Sequence, residues 1–150
     1  MNNNAAIGAV MLAATLACGV RADAPPRIDI DRTACGHCGM LISETAYAAA
    51  YQTPGAQARV FDDIGCLLEA IGREEDPALA HLWFHDAAGT GWIEGEAAVF
   101  VRSPRLRTPM GGGLVAYRDG QAAERSAADR QGRVIRGVRE LMADAKGGGS

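Results

Sequence analysis

Two stretches of this chain carry the same succession of folding signals, and that repeat restricts the architecture more than any single element does. In the first, residues 47–52 read as a strand and Thr53-Pro54-Gly55 as a turn. Residues 58–61 read as a second strand, Asp62-Asp63 as a helix cap, and residues 64–73 as a helix. Ile64, Leu67, Leu68 and Ile71 give that helix an apolar stripe at i, i+3, i+4 and i+7. In the second stretch, residues 97–102 form a strand, a glycine-rich loop follows, residues 114–118 form another strand, and Asp119 precedes a helix over 121–130. Two ββα units are expected, sharing a sheet or packing side by side. Strands and helices alternate without long crossovers, which favours an α+β class over a doubly wound sheet. Shorter strands are expected over 28–30, 81–86 and 133–135, with a last helix to about residue 145 and a disordered tail over 146–150. The units divide as 28–78 and 79–145.

The chain has 150 residues, of which 48% are hydrophobic but only 5% aromatic, so a core is possible but modest. The formal charge is −3, and nucleic-acid binding usually needs a basic patch. Arg102, Arg105, Arg107, Arg130, Arg133, Arg136 and Arg139 cluster late, but acidic residues are interspersed among them, as on a solvated face. No nucleic-acid partner is expected.

The N-terminus reads as an export signal. Residues 5–17 are an uncharged apolar run, which suits a signal-peptide core and falls short of the roughly 20 residues a membrane span needs. The run ends in Thr15-Leu16-Ala17-Cys18, followed by Gly19, which resembles a bacterial lipobox. Residues 1–17 are then the signal, Cys18 is the lipidation site, and 18–27 form a tether to a membrane. Outside the cytoplasm disulfides persist. With Cys18 acylated, Cys35, Cys38 and Cys66 remain, and an odd number of thiols points to a functional thiol or a metal.

The densest chemistry lies in Cys35-Gly36-His37-Cys38-Gly39-Met40. Four uses compete for it. A structural zinc site needs two further ligands, for which Cys66, His81 and His85 are isolated candidates. A thioredoxin-like redox pair needs the motif to open a helix, and Gly39-Met40-Leu41-Ile42 starts one poorly. A structural disulfide is the third use. The fourth is a soft-metal site, since thiolates and thioethers together favour Cu(I). Met40 fits the fourth use, and His37 is either a further donor or a residue that tunes its neighbours. Met110, in Pro109-Met110-Gly111-Gly112-Gly113, is either a cap on a sheet edge or a thioether that closes over the metal. Cys66 lies off the helix stripe and reads first as a small buried hydrophobe. His81 and His85 share one side of a strand and read as structural or exposed. No phosphate loop, nucleophile elbow or H-E-x-x-H motif is present, so no enzymatic activity is expected.

The Cys35–Met40 run, then Arg59-Val60-Phe61-Asp62-Asp63-Ile64-Gly65-Cys66, then Thr108-Pro109-Met110-Gly111-Gly112-Gly113 resemble the NosL-type lipoproteins, over roughly residues 31–145. These are accessory copper chaperones of nitrous-oxide reductase. The resemblance implies two similar ββαβ-type units with small mixed or antiparallel sheets and short helices. It implies a periplasmic lipoprotein that binds one Cu(I) and delivers it to the maturing reductase. By match to the motifs, the candidate ligands are Cys35, Cys38, Met40 and Met110, with His37 and Cys66 as further possibilities. A thiol–disulfide oxidoreductase using Cys35 and Cys38, and a disulfide-containing structural lipoprotein, are the alternative functions.

Overall fold

The computed structural model describes residues 24–74, 79, 81–89 and 91–147. The expected signal, Cys18 and most of the tether lie outside the described residues. So do residues 148–150 of the expected tail, whereas Lys146 and Gly147 belong to the last helix.

The chain forms two antiparallel sheets with three short α-helices, an α+β arrangement. The first unit runs β1 (Ala49–Gln52), β2 (Arg59–Phe61), α1 (Ile64–Gly72) and β3 (His81–His85), with β4 (Trp92–Glu94) added at its edge. The second runs β5 (Val99–Arg102), β6 (Leu114–Tyr117), α2 (Gly120–Asp129) and β7 (Arg133–Arg136), followed by α3 (Gly137–Gly147). In each unit the opening strand is central and pairs with both others, giving the orders β2-β1-β3-β4 and β6-β5-β7. The repeat read from the sequence is therefore a repeat of topology, ββαβ twice. Sheet membership changes between β4 and β5, so the third strand of the first unit lies beyond residue 78.

Both hairpins feed a helix through one capping aspartate. Asp63 accepts from the Gly65 N–H at 2.5 Å and Asp119 from the Gln121 N–H at 2.9 Å. A side-chain oxygen there satisfies one of the donors that every helix start leaves unpaired. The alternation of strand side chains then sorts the core. Phe100, Leu114, Ala116 and Ile135 point into one large cluster with Phe61, Leu67, Phe84 and Ile93. Val101, Val115 and Tyr117 point the other way, onto Ala123 and Ala127 of α2. The large cluster spans both sheets, with Phe84 of β3 meeting Phe100 of β5 edge-on at 4.7 Å. The sheets also touch through the backbone, where Ala87 donates to the Ala116 carbonyl at 2.8 Å. Leu141 anchors α3 in that cluster and is fully buried, so truncating it to alanine should cost about 2–5 kcal/mol.

Residues 28–30, expected as a strand, form the entry to a loop instead: Asp29 accepts from Thr33 and Asp31 donates to Ile42. Among the described residues no helix is long and apolar enough to cross a membrane.

Candidate metal centre

The loop that carries Cys35 and Cys38 is a tight reversal, closed by a bridge between Ala34 and Leu41. Cys35 donates to the Met40 carbonyl at 2.8 Å, and Gly39 donates back to the Cys35 carbonyl at 3.1 Å. Gly39 sits at φ +77, a conformation open to glycine at little cost, and this turn keeps the two cysteines on a short arc. No helix opens at the motif, so the element a thioredoxin-like pair needs is missing.

Strand β2 fixes where this loop hangs. Gly36 donates to the Val60 carbonyl at 2.7 Å, and Arg59 donates to the Gly36 carbonyl at 2.9 Å. Asp62 and Asp63 follow directly after β2, and α1 then brings Cys66 to the same side. The result is a cluster of four: the sulfurs of Cys35, Cys38 and Cys66 and a carboxylate oxygen of Asp62 all lie within 4.8 Å of one another. Cys35, Asp62 and Cys66 are buried and Cys38 is half-buried. All three cysteines are free thiols.

The electrostatics of the cluster are unusual for an interior. Burial pushes the Cys35 thiol up, while backbone N–H groups of Asp62, Cys38 and His37 aimed at its sulfur pull the other way. Cys66 is pushed up much further, by burial first and then by the negative character of Cys35 and Asp62 beside it. Asp62 accepts from the Cys38 thiol at 3.7 Å to Oδ1 and 3.8 Å to Oδ2. A buried carboxylate surrounded by thiols is costly unless protons or a cation sit among them. The donor set suits a soft or borderline metal ion, because thiolates dominate it and the single oxygen is already inside the shell.

The remaining candidates stand around this centre. His37 is not among the four; its Nε2 lies 2.9 Å from Glu69 Oε2 and ties the cysteine loop to α1. Met40 and Met110 are both at the surface, 56% and 47% exposed, so neither is core filler. Met40 is joined to the site through its carbonyl and Met110 through its N–H, which donates to Asp63. His81 and His85 lie in β3, stacked on Trp83 and set edge-on to Trp92.

Asp62 is the site residue that the sequence reasoning missed, because it treated Asp62-Asp63 as one cap. A signal was present: a helix needs a single cap, and Asp62 stands four residues before Cys66, one helical turn away. Cys66, read first as a hydrophobe, takes a full place in the cluster.

The family model of NosL matches residues 27–144, nearly all of the described chain. This protein belongs to the NosL family. A NosL fold is also what the solved structures show: the crystal structure of the copper chaperone NosL from Shewanella denitrificans is similar to it, with a TM-score of 0.67 at 20% identity. That match covers 75% of this chain and 92% of the other. None of the curated proteins matches the chain. For NosL, then, the paired ββαβ units are the family's scaffold, and the four-residue cluster is where this member concentrates its thiols.

Proposed function

We propose that this NosL-family protein is a copper carrier that holds one Cu(I) in the thiol cluster and passes it to a maturing copper enzyme. The observation that carries this reading is the set of three thiols and one buried carboxylate within 4.8 Å, on a chain of this family. Cys35, Cys38 and Cys66 supply thiolates, which give affinity for a soft ion. Asp62 lies inside the shell as a fourth group. Met40 and Met110 stand at the exposed rim as neutral thioethers, and His37 braces the loop. Cys38 is half-buried, so it is the thiol an incoming ion or an acceptor's ligand reaches first. An acceptor that replaces the ligands one at a time never leaves the ion bare. The protein binds and releases; it performs no reaction on the copper beyond ligand exchange.

Several wider features belong to the same reading. The recipient implied by the family resemblance is nitrous-oxide reductase or its maturation complex. The expected export signal and the lipobox-like run at Cys18 support a periplasmic location, with lipid holding the protein to the inner or outer membrane. Keeping the thiols reduced there requires a reducing partner or prompt metal loading, because a disulfide between any two of them removes the site.

Titrating the reduced protein with Cu(I) against a chromophoric competitor tests the proposal. One equivalent should bind with far better than micromolar affinity, and Cys38→Ser should weaken it strongly. Micromolar or weaker binding that Cys38→Ser and Met110→Ala leave unchanged would end it.

A further inference from the structure

We propose that Asp63 is a positioning residue that staples the Met110 loop of the second unit to the metal centre of the first. The inference rests on the copper reading for its consequence, though not for its geometry.

Asp63 is fully buried, and its two oxygens are divided between two tasks. Oδ1 caps α1 through the Gly65 N–H at 2.5 Å. Oδ2 accepts the Met110 N–H at 3.1 Å, across the boundary between the units. A cap uses one acceptor, as Asp119 shows in the second unit, where Oδ1 takes the Gln121 N–H at 2.9 Å and the other oxygen faces Arg125 of the same helix at 3.7 Å. The second bond of Asp63 is therefore extra to the helix.

The backbones around this bond are built for close approach. A Cβ on Gly112 would lie 2.9 Å from Asp63 Oδ1 and 3.4 Å from the Gly65 Cα. A Cβ on Gly65 would meet the same oxygen at 2.9 Å and the Gly112 Cα at 3.6 Å. A side chain at either position would crowd the Asp63 carboxylate that joins the loop to the helix start. The loop is also firm in itself, with Gly111 donating to the Thr108 carbonyl at 2.9 Å and Gly113 to Thr108 Oγ1 at 3.2 Å. A firm loop held at Asp63 moves with Asp63. That residue stands between Asp62 and the turn carrying Cys66, two members of the cluster. Met110 is thereby kept at a fixed place next to the centre, with its thioether half exposed to solvent.

The test uses Asp63→Ser, which keeps a good cap and removes the second acceptor. Gly112→Ala crowds the same carboxylate from the loop side, at Oδ1, while keeping both of its oxygens. The first readout needs no metal: the hydrogen-exchange rate of the Met110 amide, followed by NMR. Losing this bond should speed that exchange roughly threefold to tenfold in either variant. The second readout is the rate at which Cu(I) passes from the loaded protein to an excess of chelator. Asp63→Ser should change this rate by a similar factor in the wild-type background and leave it unchanged in a Met110→Ala background. An unaltered Met110 amide in both variants would overturn the staple. An equal effect on release with and without Met110 would reduce Asp63 to a helix cap. If the wild type takes up no Cu(I), the copper reading falls, and the amide exchange alone decides the staple.

Discussion

Replacing Arg59 by alanine should weaken metal binding without touching any ligand. Its guanidinium holds the Gly36 carbonyl of the cysteine loop at 2.9 Å, the Tyr51 hydroxyl at 2.5 Å and Glu74 at 3.2 Å. It also lies over the Tyr51 and Phe61 rings at 5.3 and 5.7 Å. The side chain is 45% exposed, so each contact takes the low end of its range. The charged hydrogen bond to Gly36 contributes about 1.5 kcal/mol, and the ring contacts roughly 0.5–1 kcal/mol. The ion pair with Glu74 adds at most about 1 kcal/mol. These three contributions together mean that Arg59→Ala should lower folding stability by up to about 3.5 kcal/mol, read from chemical denaturation. Only the Gly36 bond acts on the loop, and about 1.5 kcal/mol there corresponds to roughly tenfold in Cu(I) affinity. The effect stops at that size because Gly36 keeps its own bond to Val60 at 2.7 Å. Arg59→Lys should recover part of it, since an ammonium cannot hold both ends of the fork. A variant that loses stability yet binds Cu(I) within about twofold of wild type would refute the idea that this clamp presets the loop.

Three further outcomes follow from the same geometry. Cys35 and Cys66 have their thiol pKa values raised above the usual 9.0, so folding favours the protonated forms. The unfolded chain ionises first as pH rises past that value, and the metal-free protein should lose stability there; Cys66→Ala should flatten the loss in denaturation curves. The same protons must leave when the metal binds, so Cu(I) affinity should fall by at least about a hundredfold for each unit of acidification through neutrality, measured by competition at two pH values. Glu69→Ala and His37→Ala should weaken Cu(I) binding equally and by only a few-fold, because the pair contributes at most about 1 kcal/mol with Glu69 67% exposed. A far larger loss in His37→Ala alone would make His37 a ligand.

The repeat was legible because its signals are local. Turn residues, an acidic cap and a stripe of apolar residues mark each ββα succession without help from tertiary contacts. The third strand of each unit was visible as a segment, but its pairing with the opening strand is a long-range choice. β4 escaped notice because three residues, Trp92–Glu94, are too few to show alternation. The run Ala48-Ala49-Ala50 hides any alternation at β1, and all four residues of the strand are buried. A central strand covered on both faces needs small side chains more than alternation. Residues 28–30 carry strand-like composition, yet their backbone bonds go to the cysteine loop, which no local pattern announces. The thiol run was plain in the sequence, whereas its partners were not. Cys66 and Asp62 reach it only because β2 and α1 meet at its side, and a helix cap is the cheaper explanation for any aspartate before a helix.

In the proposed carrier, sulfur from both the loop and α1 holds the copper. Copper K-edge X-ray absorption on the Cu(I)-loaded protein, compared with its Cys66→Ser variant, tests this most directly. The wild type should show a Cu(I) edge with a first shell dominated by sulfur, and Cys66→Ser a lower sulfur count or a loss of bound copper. A first shell of nitrogen and oxygen alone, or a sulfur shell indifferent to Cys66, would contradict this arrangement.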